Sequence, residues 1–198
     1  MKPAWKRFWP CASALAISVV NPCSTAKANS PRHVRETKLA GLRPGVDTDE
    51  LAKRKLRGYL YHWLSQDGKT ITWQRACPSM EIQVQADGRG VIQSIMVGVW
   101  HSPVDAQCEI VSSQKWAKRF LGTGQGLKFN QRCEGIEEIY GTAQSKESST
   151  IDGRQVESYT YTFESKPKSA ALKLEVSCDV SSNSITKLRL ATIGTSAQ

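Results

Sequence analysis

The chain has 198 residues, of which 39% are hydrophobic and 23% are charged, and its 27 basic and 18 acidic residues give a net charge of +9. A chain of this length forms one domain or two small ones. The basic residues are scattered and do not alternate with stacking aromatic residues, so nucleic-acid binding is not expected. No apolar run is long enough to span a bilayer.

Residues 1–28 have the pattern of a secretory signal peptide. A short apolar run (residues 11–20) follows a basic region, and Ala26-Lys27-Ala28 is a small-x-small cleavage site. We therefore expect a mature chain that begins at Asn29 and is periplasmic or secreted. The basic residues of the signal are Lys2, Lys6 and Arg7.

Two alternatives stay open for this N-terminus. In the first, the segment is an N-terminal anchor that is never cleaved. In the second, Cys23 is the lipidated first residue of a lipoprotein. Cleavage after Ala28 would lower the net charge while keeping every acidic residue, which leaves a mildly basic chain that favours acidic partners.

Residues 29–38 are polar and include Pro31, which predicts a flexible leader. Residues 39–104 are predicted to form a first unit. Its helix begins after Asp47, which can cap it, and ends at Gly58. Three strands follow, over residues 70–75, 82–86 and 91–99, and the last is apolar enough to be buried on much of both faces.

Residues 105–198 are predicted to form a second unit with the same order of elements. Helical patterns cover residues 113–121 and 130–140, and strands are expected at 156–164, 171–179 and 185–191. Gly41-Leu42 and Asp67-Gly68 of the first unit are answered by Gly126-Leu127 and Asp152-Gly153. A period this long indicates two copies of one small unit. The predicted fold class is therefore α+β, with two tandem units, each of short helices packed on one face of an antiparallel three- to four-stranded sheet.

Four cysteines, an even number, follow the signal segment. In an oxidising compartment they predict two disulfides, whereas a metal site would need close pairs such as C-x-x-C, which the chain lacks. One bridge per unit, Cys77–Cys108 with Cys133–Cys178, closes the shorter loops. Cys108–Cys133 with Cys77–Cys178 is the main alternative.

The strand alternation predicts one open face on each sheet. If Leu174 and Val176 pack on the helices, their polar neighbours point away, and the two open faces together would form a long concave surface. Two tryptophans near loops could anchor a partner on it. The candidate partner-binding residues are Trp63, Thr72, Gln74, Glu81, Gln83, Gln85, Trp100, Thr160, Thr162, Lys173, Glu175 and Ser177.

The second unit also carries a family pattern. Its parts are Gly126-Leu127, the helix end Ile139-Tyr140-Gly141, the strand Val156–Phe163, and the closing strands Leu172–Cys178 and Ile185–Leu190. With these residues the chain resembles the tandem β-lactamase-inhibitor-protein fold and the SmpA/OmlA (BamE-like) family, over about Thr37–Ala191. The resemblance implies an exported bacterial protein that acts by binding other proteins.

No sequence pattern of an active site accompanies this resemblance. The chain has no G-x-S-x-G elbow, no H-E-x-x-H pair and no P-loop, and its three histidines are far apart. We therefore expect no enzyme activity, no cofactor and no metal. The predicted function is a monomeric protein-binding module for another envelope or secreted protein, with at most weak membrane association through the basic helix residues 53–57. The alternatives are a cell-envelope assembly or structural factor, and an inhibitor of a hydrolase such as a β-lactamase.

Overall fold

Eight antiparallel β-strands make up most of the structure, a computed structural model that describes residues 34–57, 61–75, 80–99, 121–164 and 170–194. All of these residues belong to one compact unit. They also include two seven-residue helices, α1 (Asp49–Lys55) and α2 (Glu134–Tyr140). The strands are β1 (Tyr61–Leu64), β2 (Thr70–Arg75), β3 (Met80–Ala86), β4 (Ile92–Val99), β5 (Ser145–Ile151), β6 (Arg154–Phe163), β7 (Leu172–Asp179) and β8 (Ser184–Thr192).

The eight strands form a single sheet in the order β1-β2-β3-β4-β8-β7-β6-β5. Each half of the chain contributes a four-stranded meander, and the two meanders join where β4 pairs with β8, from Ser94 opposite Ala191 to Gly98 opposite Lys187. The predicted pair of tandem helix-and-sheet units is therefore wrong. Pairing β4 with β8 satisfies the backbone groups of two strands that would each have been an exposed sheet edge.

The helices are also fewer than predicted in the described residues. Each half has one short helix there instead of a pair. The predicted helix over residues 113–121 lies outside the described residues, except for Leu121, which is not helical. No described helix has the length and apolar character needed to cross a membrane.

Helix α1 begins at a different cap from the one predicted. Thr48 is the N-cap, and its side chain accepts a hydrogen bond from the backbone N–H of Leu51. Asp47 is buried and instead accepts bonds from the backbone and guanidinium of Arg43, at 2.9 and 2.8 Å. Ala52 and Leu56 are fully buried, which places this side of α1 against the sheet.

The apolar side of β6 and helix α2 build the core of the second half. Tyr159, Tyr161 and Phe163 alternate along β6 and are at most 6% exposed. Tyr140, at the end of α2, packs on two of them, with ring centroids 5.3 Å from Tyr161 and 6.3 Å from Phe163. Helix α2 ends at Gly141, where the backbone turns to a φ of 74°. Glycine adopts this left-handed conformation without strain, whereas a residue with a side chain would be strained there.

A disulfide joins Cys133, directly before α2, to Cys178 in β7. This confirms one of the two bridges expected for a one-bridge-per-unit arrangement and excludes the alternative that pairs Cys133 with Cys108. Cys77 and Cys108 lie outside the described residues.

Glu36 lies in the segment predicted to be a flexible leader, and its side chain is fully buried. Its carboxyl oxygens accept hydrogen bonds from the backbone N–H groups of Thr37, Lys38, Gly124 and Gln125, at 2.7 to 3.1 Å. The hydroxyl of Tyr140 donates a fifth bond at 2.6 Å. Residues 36–38 are thereby fixed to the glycine-rich loop that precedes α2.

Candidate functional site

The sheet has one face that the described helices do not cover, which we call the open face. Residues that pair across neighbouring strands point to the same side of a sheet. A single row of such pairs crosses both halves of the molecule, and every member has its side chain opposite the core. The row is Thr72, Gln83, Met96, Arg189, Glu175 and Thr160.

Ten of the twelve candidate residues from the sequence lie on this open face. Gln85 and Thr162 are exposed, whereas Thr72 and Gln74 are only 4% and 5% exposed and offer a partner little surface. The half-buried members are Glu81, Gln83, Thr160, Lys173, Glu175 and Ser177.

The structure gives a strand position for only one of the two candidate tryptophans. Trp63 lies in β1 opposite Thr72, so its position in the register belongs to the same row as the other candidates. Trp100 lies outside the described residues.

A short chain of charges crosses the middle of the open face. Glu175 pairs with Lys173 at 2.6 Å and with Arg189 at 3.3 Å. Arg189 also donates from Nε to the hydroxyl of Ser94, at 3.2 Å. Partial burial raises the pKa of Glu175, but its bonds with Lys173 and Arg189 more than offset this and hold that pKa below its ordinary value. Glu175 is therefore ionised near neutral pH.

A depression of about 220 Å³ lies beside this chain of charges, over β2, β3, β4 and β8. None of its lining residues is acidic, and two are basic. Lys187 is exposed, and its neighbours across the strands are Gly98 and Ser177, which carry no charge. Within the described part of the chain Lys187 makes no ion pair. The lining residues are Thr70, Gln83, Gln85, Ser94, Met96, Lys187 and Arg189.

The sequence analysis missed five of these lining residues, namely Thr70, Ser94, Met96, Lys187 and Arg189. The strand containing Ser94 and Met96 was predicted to be buried on much of both faces, so its outward residues were not considered. The signal was present, because Ser94, Met96 and Gly98 alternate with buried Ile95 and Val97. In β8, the alternation of Leu188 and Leu190 with polar residues assigns Lys187 and Arg189 to the open face in the same way.

A second groove, of about 280 Å³, lies near the disulfide and is acidic. Its carboxyl groups come from Glu134, Glu137 and Glu157. Glu157 is already engaged, since it accepts a bond from the Tyr159 hydroxyl at 2.7 Å and pairs with Lys146 at 3.0 Å. The hydrogen bond from Tyr159, and to a smaller extent the one from Lys146, lowers the pKa of Glu157. Among the described residues, no three His, Cys, Asp or Glu side chains are arranged to hold a metal ion.

Comparison with known proteins identifies no family for this chain. No family model matches it, and no curated protein matches it significantly. It is similar to one solved structure, a DUF4309 family protein (YjgB) from Bacillus subtilis subsp. subtilis str. 168, with 10% sequence identity and a TM-score of 0.44 over 79% of this chain and 87% of that one. At this level of similarity nothing about function transfers to this chain.

Proposed function

We propose that this chain is an exported, non-enzymatic protein that binds another envelope or secreted protein through the open face of its sheet. The observation that carries the proposal is the asymmetry of the sheet. One face is buried beneath α1, α2 and their loops, while the other presents mainly polar and charged side chains, from Gln83 in the first half to Arg189, Glu175 and Thr160 in the second.

Two features support export. The first 28 residues have the basic, apolar and small-x-small pattern of a cleaved signal. The Cys133–Cys178 disulfide is of the kind that persists in oxidising compartments.

Binding through such a face costs little ordering entropy. The open-face side chains project from β-strands whose backbones are paired on both sides, and Arg189 and Glu175 already hold each other in place. A partner therefore meets groups that are largely preorganised, so less of the interaction energy is lost in fixing them.

The proposal does not extend to the aromatic grip of the β-lactamase inhibitors that the chain resembles. Tyr159, Tyr161 and Phe163 are all buried on the core face. The contact offered to a partner by β6 is instead made of Ser158, Thr160 and other polar side chains.

Capture of a partner from the native host's envelope and culture medium tests the proposal. The bait is the oxidised chain from Asn29 to Gln198, compared with an open-face variant (Gln83→Ala with Glu175→Ala) and with a control variant on α1 (Glu50→Ala with Lys53→Ala). We expect the parent and the control variant to enrich the same protein and the open-face variant to lose it. Equal capture by all three baits, or no enrichment over a reduced and unfolded bait, would contradict the proposed function.

A further inference from the structure

We propose that the depression around Lys187 and Arg189 is a carboxylate-binding site that takes an Asp or Glu side chain of the partner protein. This inference rests on the proposed function and names the chemistry at the centre of the same face. It follows from the charge, the free donors and the size of the depression.

Lys187 supplies an unneutralised charge. Lys187 is exposed, and the depression it lines contains no carboxyl group. Opposite it in β4 stands Gly98, which has no side chain to fill the space or to neutralise the charge. A carboxylate that approaches here gains a charge-assisted hydrogen bond and displaces no existing ion pair.

Arg189 supplies oriented donors. Its Nε donates to Ser94, and its Nη1 lies 3.3 Å from Glu175. These contacts fix the plane of the guanidinium, and the Nη2 group has no hydrogen bond within the described residues. A planar guanidinium held in this way can present the remaining donors to a carboxylate without further ordering.

The size of the depression favours a side chain over a whole small molecule. Its volume of about 220 Å³ is below the range of roughly 300–1,000 Å³ that is typical of pockets for drug-sized ligands. The amides of Gln83 and Gln85 at its wall suit the backbone groups that flank an acidic side chain, because an amide can both donate and accept.

The surrounding charges favour a protein carboxylate over a polyanion. Glu175 lies beside Arg189, and Glu81 receives a bond from Gln83 at the other wall of the depression. A nucleic acid or an anionic membrane surface would bring several negative charges against these two carboxylates. One isolated carboxylate fits between them and meets only Lys187 and Arg189.

Peptide titration followed by NMR amide shifts tests the site directly. The probes are acetyl-Gly-Glu-Gly-amide, the matched Gln peptide and sodium phosphate, each added at low ionic strength to the oxidised chain. We expect the Glu peptide alone to shift the amides of Lys187, Arg189 and Ser94. Lys187→Gln should weaken this binding about tenfold, the effect of losing one charge-assisted hydrogen bond. Lys187→Arg should retain most of it.

The control is Lys128→Gln, which removes an equally positive, exposed side chain from the loop before α2. Equal weakening by Lys187→Gln and Lys128→Gln would overturn the inference, because the attraction would then be the general one of a basic protein. It would also be overturned if the Gln peptide bound as well as the Glu peptide, or if phosphate bound as tightly as the Glu peptide.

The captured partner separates this inference from the proposed function. If Lys187→Gln loses the partner as the open-face variant does, both stand. If Lys187→Gln retains a partner that the open-face variant loses, the carboxylate site is wrong and the proposed function stands. If neither change affects capture, the proposed function fails as well.

Discussion

At the scale of single residues, Glu36 and Tyr140 hold the described N-terminal residues to the second half of the chain. Thr123 lies 2.7 Å from the Tyr140 hydroxyl, which in turn donates to Glu36. Gly124 is needed at this contact, since an added Cβ would lie 2.8 Å from the Glu36 carboxyl. Burial, followed by the nearby Glu36 charge, raises the pKa of Tyr140 far above its ordinary value.

We expect Glu36→Ala to lower the free energy of unfolding by about 3 kcal/mol, because several buried backbone N–H groups lose their acceptor. Glu36→Gln keeps one acceptor oxygen and should cost less. The measurement is urea unfolding at neutral pH. Glu50→Ala is the control, because Glu50 is an exposed carboxyl group whose ion pair with Lys53 contributes little. Equal effects of Glu36→Ala and Glu50→Ala would show that the buried contacts do not stabilise the fold.

The raised pKa of Tyr161 predicts that the folded protein loses stability at alkaline pH. Burial, together with the Glu137 and Tyr159 charges, raises its pKa to about 12. The unfolded chain gives up the same proton near pH 10. The stability that this residue contributes is thus complete below about pH 10 and is lost as the pH rises towards 12.

Tyr161→Phe should therefore unfold at a urea concentration that falls less steeply between pH 9.5 and 11.5 than that of the parent. At neutral pH the variant loses about 1 kcal/mol, because the hydrogen bond from Tyr161 to the carbonyl of Gly141 is gone. Some alkaline decline remains, since Tyr140 and Tyr159 also have raised pKa values. Parallel pH profiles for variant and parent would contradict this account.

At the scale of elements, the strands that could be predicted from the sequence are those with one buried face. The alternation of apolar and polar residues gave β2, β6, β7 and β8 nearly at their observed limits, because it is a local consequence of burying one side of a strand. The edge strands β1 and β5 were not predicted. In β5 every residue after Ser145 is exposed, so no apolar period marks it as a strand.

The sequence of a strand predicts the strand itself but not which other strand it pairs with. Nothing in the sequence of β4 distinguishes a strand at the edge of one small sheet from a strand in the middle of a large one. The depression could not be predicted from the sequence for the same reason. Lys187 and Arg189 lie beside Ser94 and Met96 only because β4 pairs with β8.

The disulfide is an element-scale constraint that links α2 to β7. It spans 45 residues of sequence, and closing a loop of this length in the unfolded chain corresponds to about 4 kcal/mol. We expect Cys133→Ser with Cys178→Ser to lower the stability by this order, measured by urea unfolding of oxidised samples. Reduction of the parent should cost at least as much, because it also opens the second bridge expected between Cys77 and Cys108. An unchanged unfolding midpoint in the double variant would contradict the expected role of the bridge.

At the scale of the whole molecule, the single sheet makes both halves one cooperative unit. Ile95 is fully buried and lies opposite Leu190 where the meanders join. Ile95→Ala should cost about 3 kcal/mol by leaving a cavity in the core. Because the sheet is continuous, we expect the NMR amide signals of β3 and β7 to disappear at the same urea concentration, in the parent and in the variant.

Ile193→Ala is the matched control, since Ile193 is 40% exposed and the change removes the same atoms from the surface. It should leave the midpoint almost unchanged. Separate midpoints for β3 and β7 would mean that the halves are stable independently and that the β4–β8 pairing contributes little.

The order of the strands in the sheet also bears on how the protein is made. Ser94 pairs with Ala191, so β4 is synthesised well before the strand that covers it. Until β8 emerges, β4 has an unpaired edge and carries the apolar residues Ile95 and Val97, and such edges template aggregation. Strand β8 thus protects β4, and a polypeptide that stops before β8 would keep an unpaired strand edge able to pair with another chain.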